Sequence, residues 1–292
     1  MSWLKIKKNR RMKHSIIVGL SLLICITMQA KKKDKYFSIT AGGGLHELSY
    51  NLQTGTQKGQ FGYTFNVGYS YFFTPNWGGQ LGFGIQSFNA ESTLNYLSSI
   101  PAIDSDGESY VFRANYKNWK EKQGVLFFDV PLAIQYRHVI TPNFGLLGSV
   151  GAKISMPVSA SYKNTGGEIV TTGYYSQWNV ELKNMPQHGF GTNTINYAGG
   201  LSLNPSYIGV VDLGGIYTLL PNIDLYLGGY IDYGLNNILT ASDKEVFQSD
   251  GVYNGVFKSP QTSKVNPVAI GVKVGVYFKL GKVNRCGCLQ LY

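Results

Sequence analysis

The chain has 292 residues and a formal net charge of +10, with only 14% charged residues against 14% aromatics, 36 Gly, 21 Tyr and 15 Phe. Sparse charge beside so many aromatics excludes a disordered chain and suits a single β domain, whose strands favour aromatics and whose bends favour Gly. The basic excess does not signal a nucleic-acid partner. Lys5, Lys7, Lys8, Arg10, Arg11 and Lys13 all precede the first apolar run, and without them 20 basic residues face 16 acidic ones, a balance of +4.

These six residues open a segment with the form of a signal peptide. An apolar run, 16–28, follows them and leads into Gln29-Ala30. Residues 1–30 are therefore expected to be a leader cleaved after Ala30, with Met12 as an alternative start. The run is shorter than the roughly 20 residues of a transmembrane helix. Cys25 lacks the small preceding residues of a lipidated cysteine. A membrane-embedded mature chain would then have to cross as a closed sheet, since hydrocarbon tolerates only helices and barrels.

Alternation of period two marks eight strands. Phe37, Ile39, Ala41 and Leu45 alternate with Ser38, Thr40, Gly42 and Gly44. Phe61, Tyr63, Phe65, Val67, Tyr69, Tyr71 and Phe73 alternate with Gly62, Thr64, Asn66, Gly68, Ser70 and Phe72. The pattern returns at 77–86, 126–137, 144–156, 207–218, 223–235 and 268–279. Three connections are nearly the same tight turn, built on Pro75-Asn76, Pro142-Asn143 and Pro221-Asn222; Pro presets the first turn position and Asn tolerates the next. The other connections are long and polar: 49–60, 90–123, 159–206 and 237–265.

The expectation is an all-β fold: an eight-stranded antiparallel up-and-down transmembrane barrel over residues 31–280, with a short periplasmic tail at 281–292. The Pro-Asn turns and both termini would be periplasmic, and the long loops extracellular. A soluble barrel also alternates, but its polar face carries dense Lys and Glu, whereas here that face is mostly Gly, Ser and Thr.

Eight strands leave room inside only for side chains. The inward charges are Asp129, Arg137, Lys153, Asp212, Asp224, Asp232, Lys273 and Lys279, four of each sign, which predicts a paired lumen network. Strand register suggests Asp212 with Lys273, and Asp224 with Arg137 or Lys279. Tyr71, Phe73, Trp77, Tyr136, Phe144, Tyr217 and Phe278 cluster at the Pro-Asn side and read as a periplasmic aromatic girdle, with His138 in the same zone.

Motifs for chemistry are weak. Gly42-Gly43-Gly44 and Gly79-x-x-Gly82-x-Gly84 open no helix of a βαβ unit. His46 beside Glu47, and His188, stand at the loop end, but nothing in their spacing assembles a catalytic set. Cys286-Gly287-Cys288 could form a local disulfide, pair with a partner or stay free, and two thiolates do not make a zinc site. No catalytic, cofactor-binding or metal residue is expected, and no enzyme activity. The long loops carry Tyr96, Tyr110, Phe112, Tyr116, Trp119, Tyr174, Tyr175 and Trp178. These rings either bind a partner or glycan or pack on each other over the barrel mouth, and both readings stay open. Partial alternation at 110–119 and 172–182 suggests strands that continue beyond the membrane.

Asp129-Val130-Pro131-Leu132-Ala133-Ile134-Gln135-Tyr136-Arg137 resembles a fourth-strand pattern of Bacteroidetes outer-membrane β-barrel domain proteins. Tyr233-Gly234-Leu235-Asn236-Asn237-Ile238 is similar to the ending of their seventh strand, with altered Tyr spacing. The family includes OmpA- and OmpX-like barrels and PorT-like proteins of type IX secretion. The resemblance implies residence in the outer membrane and no shared chemistry. The expected role is structural or interactive, with outer-membrane lipids and lipopolysaccharide, the barrel assembly machinery, and a protein or glycan at the loops as partners, and no nucleic acid. A PorT-like secretion component is the alternative, and a rim-based enzyme a third reading.

Overall fold

The computed structural model describes residues 33–281 except 195, 241 and 243. The leader, including Met12 and Cys25, and the tail beyond Gly281 with its two cysteines lie outside the described residues.

Twelve strands share one sheet: β1 (Lys35–Leu52), β2 (Thr56–Gly59), β3 (Phe61–Phe72), β4 (Trp77–Ile103), β5 (Ser109–Thr141), β6 (Phe144–Tyr175), β7 (Val180–Leu182), β8 (Gly191–Asn193), β9 (Ala198–Gly200), β10 (Ser206–Leu220), β11 (Ile223–Gly234) and β12 (Thr262–Leu280). Eight of them close a ring in the order β1-β3-β4-β5-β6-β10-β11-β12, each pair antiparallel, with β12 returning to β1. The four short strands lie off this path, β2 on β4 and β7, β8 and β9 on β6. Among the described residues no helix is long and apolar enough to cross a membrane.

The ring is apolar outside. Leu81, Phe83, Leu132, Ile134, Val150, Leu213, Leu227, Val272 and Val274 are all more than half exposed. The opposite face of the same strands is buried: Ser38, Thr64, Gln86, Asp129, Gln135, Lys153 and Asp232 are each less than a tenth exposed. On β5 the outward apolar residues run from Leu126 to Tyr136, half-buried as far as Val130 and exposed from Leu132 on. Ten residues at about 3.3 Å each, tilted by roughly 40°, make a belt about 25 Å high. Pro131 has no amide to donate; pairing of β5 with β4 stops at Leu81–Leu132 and resumes at Gly84–Asp129.

Segments 90–123 and 159–206 are not loops throughout. β4 continues to Ile103, β5 begins at Ser109 and β6 runs on to Tyr175, so these strands rise well beyond the belt. The physical reason is a change of sides. Within the belt apolar residues point out; above it the outward positions include Glu91, Lys117, Lys120 and Lys122 beside only the isolated Leu97 and Ile103 of β4, while Phe88, Leu94, Phe112, Tyr116 and Trp119 point in and are buried. The strand register is kept, but the hydrophobic face inverts.

The inverted strands and the segment 235–261 enclose a second core. Leu48, Leu94, Phe112, Trp119, Ile169 and Phe257 are among its members, and it caps the ring. At the Pro-Asn end a smaller cluster of Tyr36, Phe72, Leu147, Ile216, Tyr226 and Tyr277 fills the opening. Trp119→Ala is expected to destabilise the cap by about 3–5 kcal/mol. Limited proteolysis should then cut within 235–261 much faster while the belt strands stay protected; unchanged cleavage would show that the cap does not depend on this ring.

Candidate functional site: lumen and cap

The lumen charges form three groups. At mid-barrel, Lys153 Nζ lies 2.8 Å from Asp232 Oδ2 and 2.9 Å from Asp129 Oδ2, the latter an ion pair not aligned as a hydrogen bond. Lys153 also donates to Gln86 Oε1, and Gln86 Nε2 donates to Asp232 at 2.9 Å. Asp129 is wholly buried, and its charge is tolerated there only because a cation is fixed beside it. Beside this group Lys273 pairs with Asp212, which accepts a further bond from Ser149 Oγ at 3.0 Å.

The third group stands at the Pro-Asn end and differs from the expectation. Arg137 and Lys279 pair with Asp34, at 3.0 and 2.9 Å, and not with Asp224. Asp34 lies just before β1, where its backbone carbonyl accepts the Phe72 amide at 2.9 Å, so it reaches over the rim to both cations. Asp224 is buried and has no ion pair among the described residues. Arg137 also donates to Tyr36 Oη at 2.7 Å and to Pro75 O at 3.1 Å, and its guanidinium lies 4.4 Å from the Phe72 ring. Burial pushes the Asp34 carboxyl up, but Lys279 and Arg137 overcome it and hold the group below its ordinary value.

Between the outer two groups lies a polar cavity of about 60 Å³ lined by Ser38, Thr64, Gln80, Gln135, Ser149 and Tyr226. Lys153 with its carboxylates bounds it toward the cap, and the aromatic cluster closes it toward the turns.

The turn residues act alike. Thr74 donates its amide to Trp77 O at 3.2 Å. The carbonyls of Asn76, Asn143 and Asn222 accept the amides of Arg137, Thr218 and Lys279 at 2.7, 2.8 and 2.8 Å. Near this end Phe73, Trp77, Tyr136, Phe144 and Tyr217 are exposed, Tyr71 and Phe278 are half-buried, and His138 is exposed. Trp77 packs against Tyr136 with ring centroids 4.9 Å apart.

Neither histidine of the loop end forms a catalytic set. His46 is wholly buried; its Nδ1 is 2.9 Å from Ser87 O and its Nε2 bonds the Tyr230 hydroxyl. His188 is exposed on a turn of 3-10 helix (Pro186–His188). Among the described residues no three His, Cys, Asp or Glu side chains are placed to hold a metal ion.

The loop aromatics pack mainly on each other. Tyr96 stacks on Tyr116 at 4.6 Å and Tyr110 on Tyr175 at 5.2 Å, while Phe112 and Trp119 are buried. Tyr174 lies under the Arg113 guanidinium at 4.4 Å. Trp178 stacks on Tyr175 but stays 58% exposed at the tip.

The side chain that organises the cap is Glu121, which no motif in the sequence marks. It lies on β5 five residues above Leu126, outside the belt, and is wholly buried. It accepts bonds from Tyr253 Oη, from Gln123 Nε2 at 2.8 Å and from the Val256 amide at 3.1 Å. Tyr253 in turn accepts from Trp119 Nε1 at 2.9 Å and stacks on Tyr197 at 4.8 Å. Gly255, at φ 82°, lets the 235–261 segment turn against Glu121, where a Cβ would sit 3.3 Å from its carboxylate. A buried acid held only by neutral donors had no sequence signal beyond a charge on an inward position.

Two predictions follow from these groups. Lys153→Met strands two buried carboxylates and should cost about 3–5 kcal/mol in urea unfolding, most of it recovered by adding Asp129→Asn and Asp232→Asn; no loss in the single variant would show that the pairing carries no stability. For the cap, burial raises the Glu121 carboxyl above its ordinary value near 4.5, against the pull of Tyr253, Gln123 and Val256. The docked cap thus favours the neutral acid, so docking is strongest at low pH and weakens as pH rises above about 4.5. Proteolysis within 235–261 should accelerate over that range, and Glu121→Gln should abolish the dependence.

No protein-family model matches the chain, and no curated protein sequence does. Among solved structures, similar ones include Ail, the attachment invasion locus protein of Yersinia pestis, in complex with the heparin analogue sucrose octasulfate (12% identity, 86% of this chain and 100% of that one, TM-score 0.32). Neisserial surface protein A matches at 11% identity over 86% and 100% with a TM-score of 0.33. The translocator domain of autotransporter NalP from Neisseria meningitidis matches at 10% over 93% and 98%, TM-score 0.23. At these scores the strand pairing itself, and not the likeness, carries the fold.

Proposed function

We propose that this chain is a non-enzymatic integral protein of a bacterial outer membrane: a filled barrel that conducts nothing and presents its folded cap outside the cell as an interaction surface, with the Pro-Asn turns and both termini in the periplasm. One observation carries the reading. The exposed face of the closed ring is apolar over a band about 25 Å high, and the polar face is inside. Water would penalise that surface over its whole circumference, whereas hydrocarbon requires it, and ring closure leaves no backbone edge for lipid to meet. Outer-membrane lipids and the barrel assembly machinery are then its obligate partners. The Asp129–Arg137 and Tyr233–Ile238 segments favour the Bacteroidetes barrel-domain family, and Trp178 at the cap tip supports a protein or glycan partner there.

Cell fractionation should recover the protein with outer membranes, migrating differently before and after heating on a denaturing gel; a soluble, unshifted protein would refute the reading. Leu132→Arg on the belt should cost about 2–4 kcal/mol in lipid bilayers near the midplane. A soluble surface would absorb the same change within about 0.5 kcal/mol. Planar bilayers holding the protein should show no steps of conductance, because Lys153 with its carboxylates and the Tyr36 cluster obstruct the lumen.

A further inference from the structure

Just above the belt, the outward face of β5 and β6 carries charges that the fold does not balance. Register places Lys122 directly opposite Lys163, both side chains outward, with Lys120 two positions further along β5 on the same face. All three are exposed. Across β4 the row continues to Glu91, whose carboxylate is 3.7 Å from Lys122 Nζ, and then to Lys58 on β2. Glu91, with Glu47 of β1 beside Gly59 at the Lys58 end, is all the acid that this row of four ammonium groups meets. Glu168 on β6 is taken by Lys117 at 2.8 Å. Lys120 and Lys163 have no carboxylate partner among the described residues.

Like charges directly opposite on one face of an antiparallel pair, with Cβ atoms about 5 Å apart, destabilise a sheet. Glu91, beside Lys122, offsets only part of this charge, and Lys163 has no carboxylate partner among the described residues. The height of the pair says what outside the protein could offset the rest. Lys122 is two outward positions above Leu126, the last apolar residue of the belt on β5, with only Gly124 between. Four residues of tilted strand put it about 10 Å above Leu126, at headgroup level, and a lysine stem is long enough to lie down along the wall toward the lipid phosphates.

We infer that Lys120, Lys122 and Lys163 form a binding site for the phosphate groups of a phosphorylated glycolipid in the outer leaflet, with Lys58 at its margin and Glu91 setting its edge. Phosphate supplies the negative charge that the Lys122–Lys163 juxtaposition lacks, and Gly124 and Ser161, opposite each other one row below, leave the wall bare where the sugar of the headgroup would lie. The inference rests on the membrane reading above and names the lipid chemistry that reading leaves open.

The test uses the mature chain refolded in neutral detergent, with bisphosphorylated lipid A, its dephosphorylated form and inorganic phosphate as probes. Native mass spectrometry should show the bisphosphorylated lipid bound far more strongly than the dephosphorylated one. Each of Lys120→Gln, Lys122→Gln and Lys163→Gln should weaken it about fivefold, while Lys117→Gln, whose charge is already matched by Glu168, leaves it unchanged. A thermal readout gives opposite signs that a misfolded variant cannot mimic. Without lipid, Lys163→Gln should raise the temperature of the heat-modified gel shift or leave it unchanged, because repulsion is removed; with lipid, it should lose the increase that the unsubstituted protein shows. Equal binding of the two lipid forms, or full binding by the triple variant, would overturn the site, as would displacement of the lipid by inorganic phosphate at equal concentration. A protein that fractionates with outer membranes yet fails to discriminate the phosphates would refute this site alone. A protein absent from the membrane would refute the reading beneath it.

Discussion

In hydrocarbon a backbone amide has no partner except another backbone group, and the ladder between β6 and β10 is where this chain meets that demand. It runs unbroken from Ser155 opposite Ser206 to Phe144 opposite Tyr217, although the two strands are separated in sequence by the whole 176–205 segment. Without it the sheet would have two bare edges within the belt, each a row of unsatisfied donors and acceptors. With it, the interior is set: eight strands close to a bore that side chains fill, so the residues facing inward must pair among themselves or leave buried charges unanswered. The Lys153 group, the Lys273–Asp212 pair and the Asp34 group are three local answers to that one constraint.

Above the belt the constraint changes because the medium changes. The same strands continue without a break in register, yet water outside reverses which face must be apolar. A wall built inside-out below becomes an ordinary soluble wall above, and its inner face supplies the core on which the 235–261 segment settles. Glu121 shows the difference between the two environments. In the lumen every described carboxylate but Asp224 is matched with a cation; in the cap a single buried carboxyl group is matched with a phenol, an amide side chain and a backbone amide.

The belt was plain in the sequence because alternation there has one phase and strong contrast, as in Phe61 to Phe72. The upper parts of β4, β5 and β6 were read mostly as loop because an apolar-out pattern ends at the belt edge, near Ile85 and Leu126, and the inverted pattern that follows resembles polar irregular chain until its other face is considered. In the site, Asp212 and Lys273 could be matched because both lie inside strands with a shared register. Asp34 was missed because it precedes the alternation and sits among lysines. Its role depends on where the chain enters the ring, which no periodicity encodes. Glu121 was missed because two of its three partners, Tyr253 and Val256, come from a segment outside the ring strands, more than a hundred residues away.

The hydrogen bonds at the turn end have a further meaning. The carbonyls of Asp34, Asn76, Asn143 and Asn222 each precede a ring strand, and each accepts an amide from the end of the next ring strand. Asp34 is thus the counterpart of the three turn asparagines. The chain is four copies of one module, a rising strand, an insert and a falling strand, fastened at its base by its own clasp and joined to the next by a tight hinge. Because every clasp lies at the opposite end from the inserts, an insert can lengthen from the short 53–60 connection to the folded 235–261 segment without disturbing the registration of its neighbours. The belt and the cap surface of this protein are therefore separable inventions: one architecture stays fixed, and four open positions remain on which new surfaces can be written.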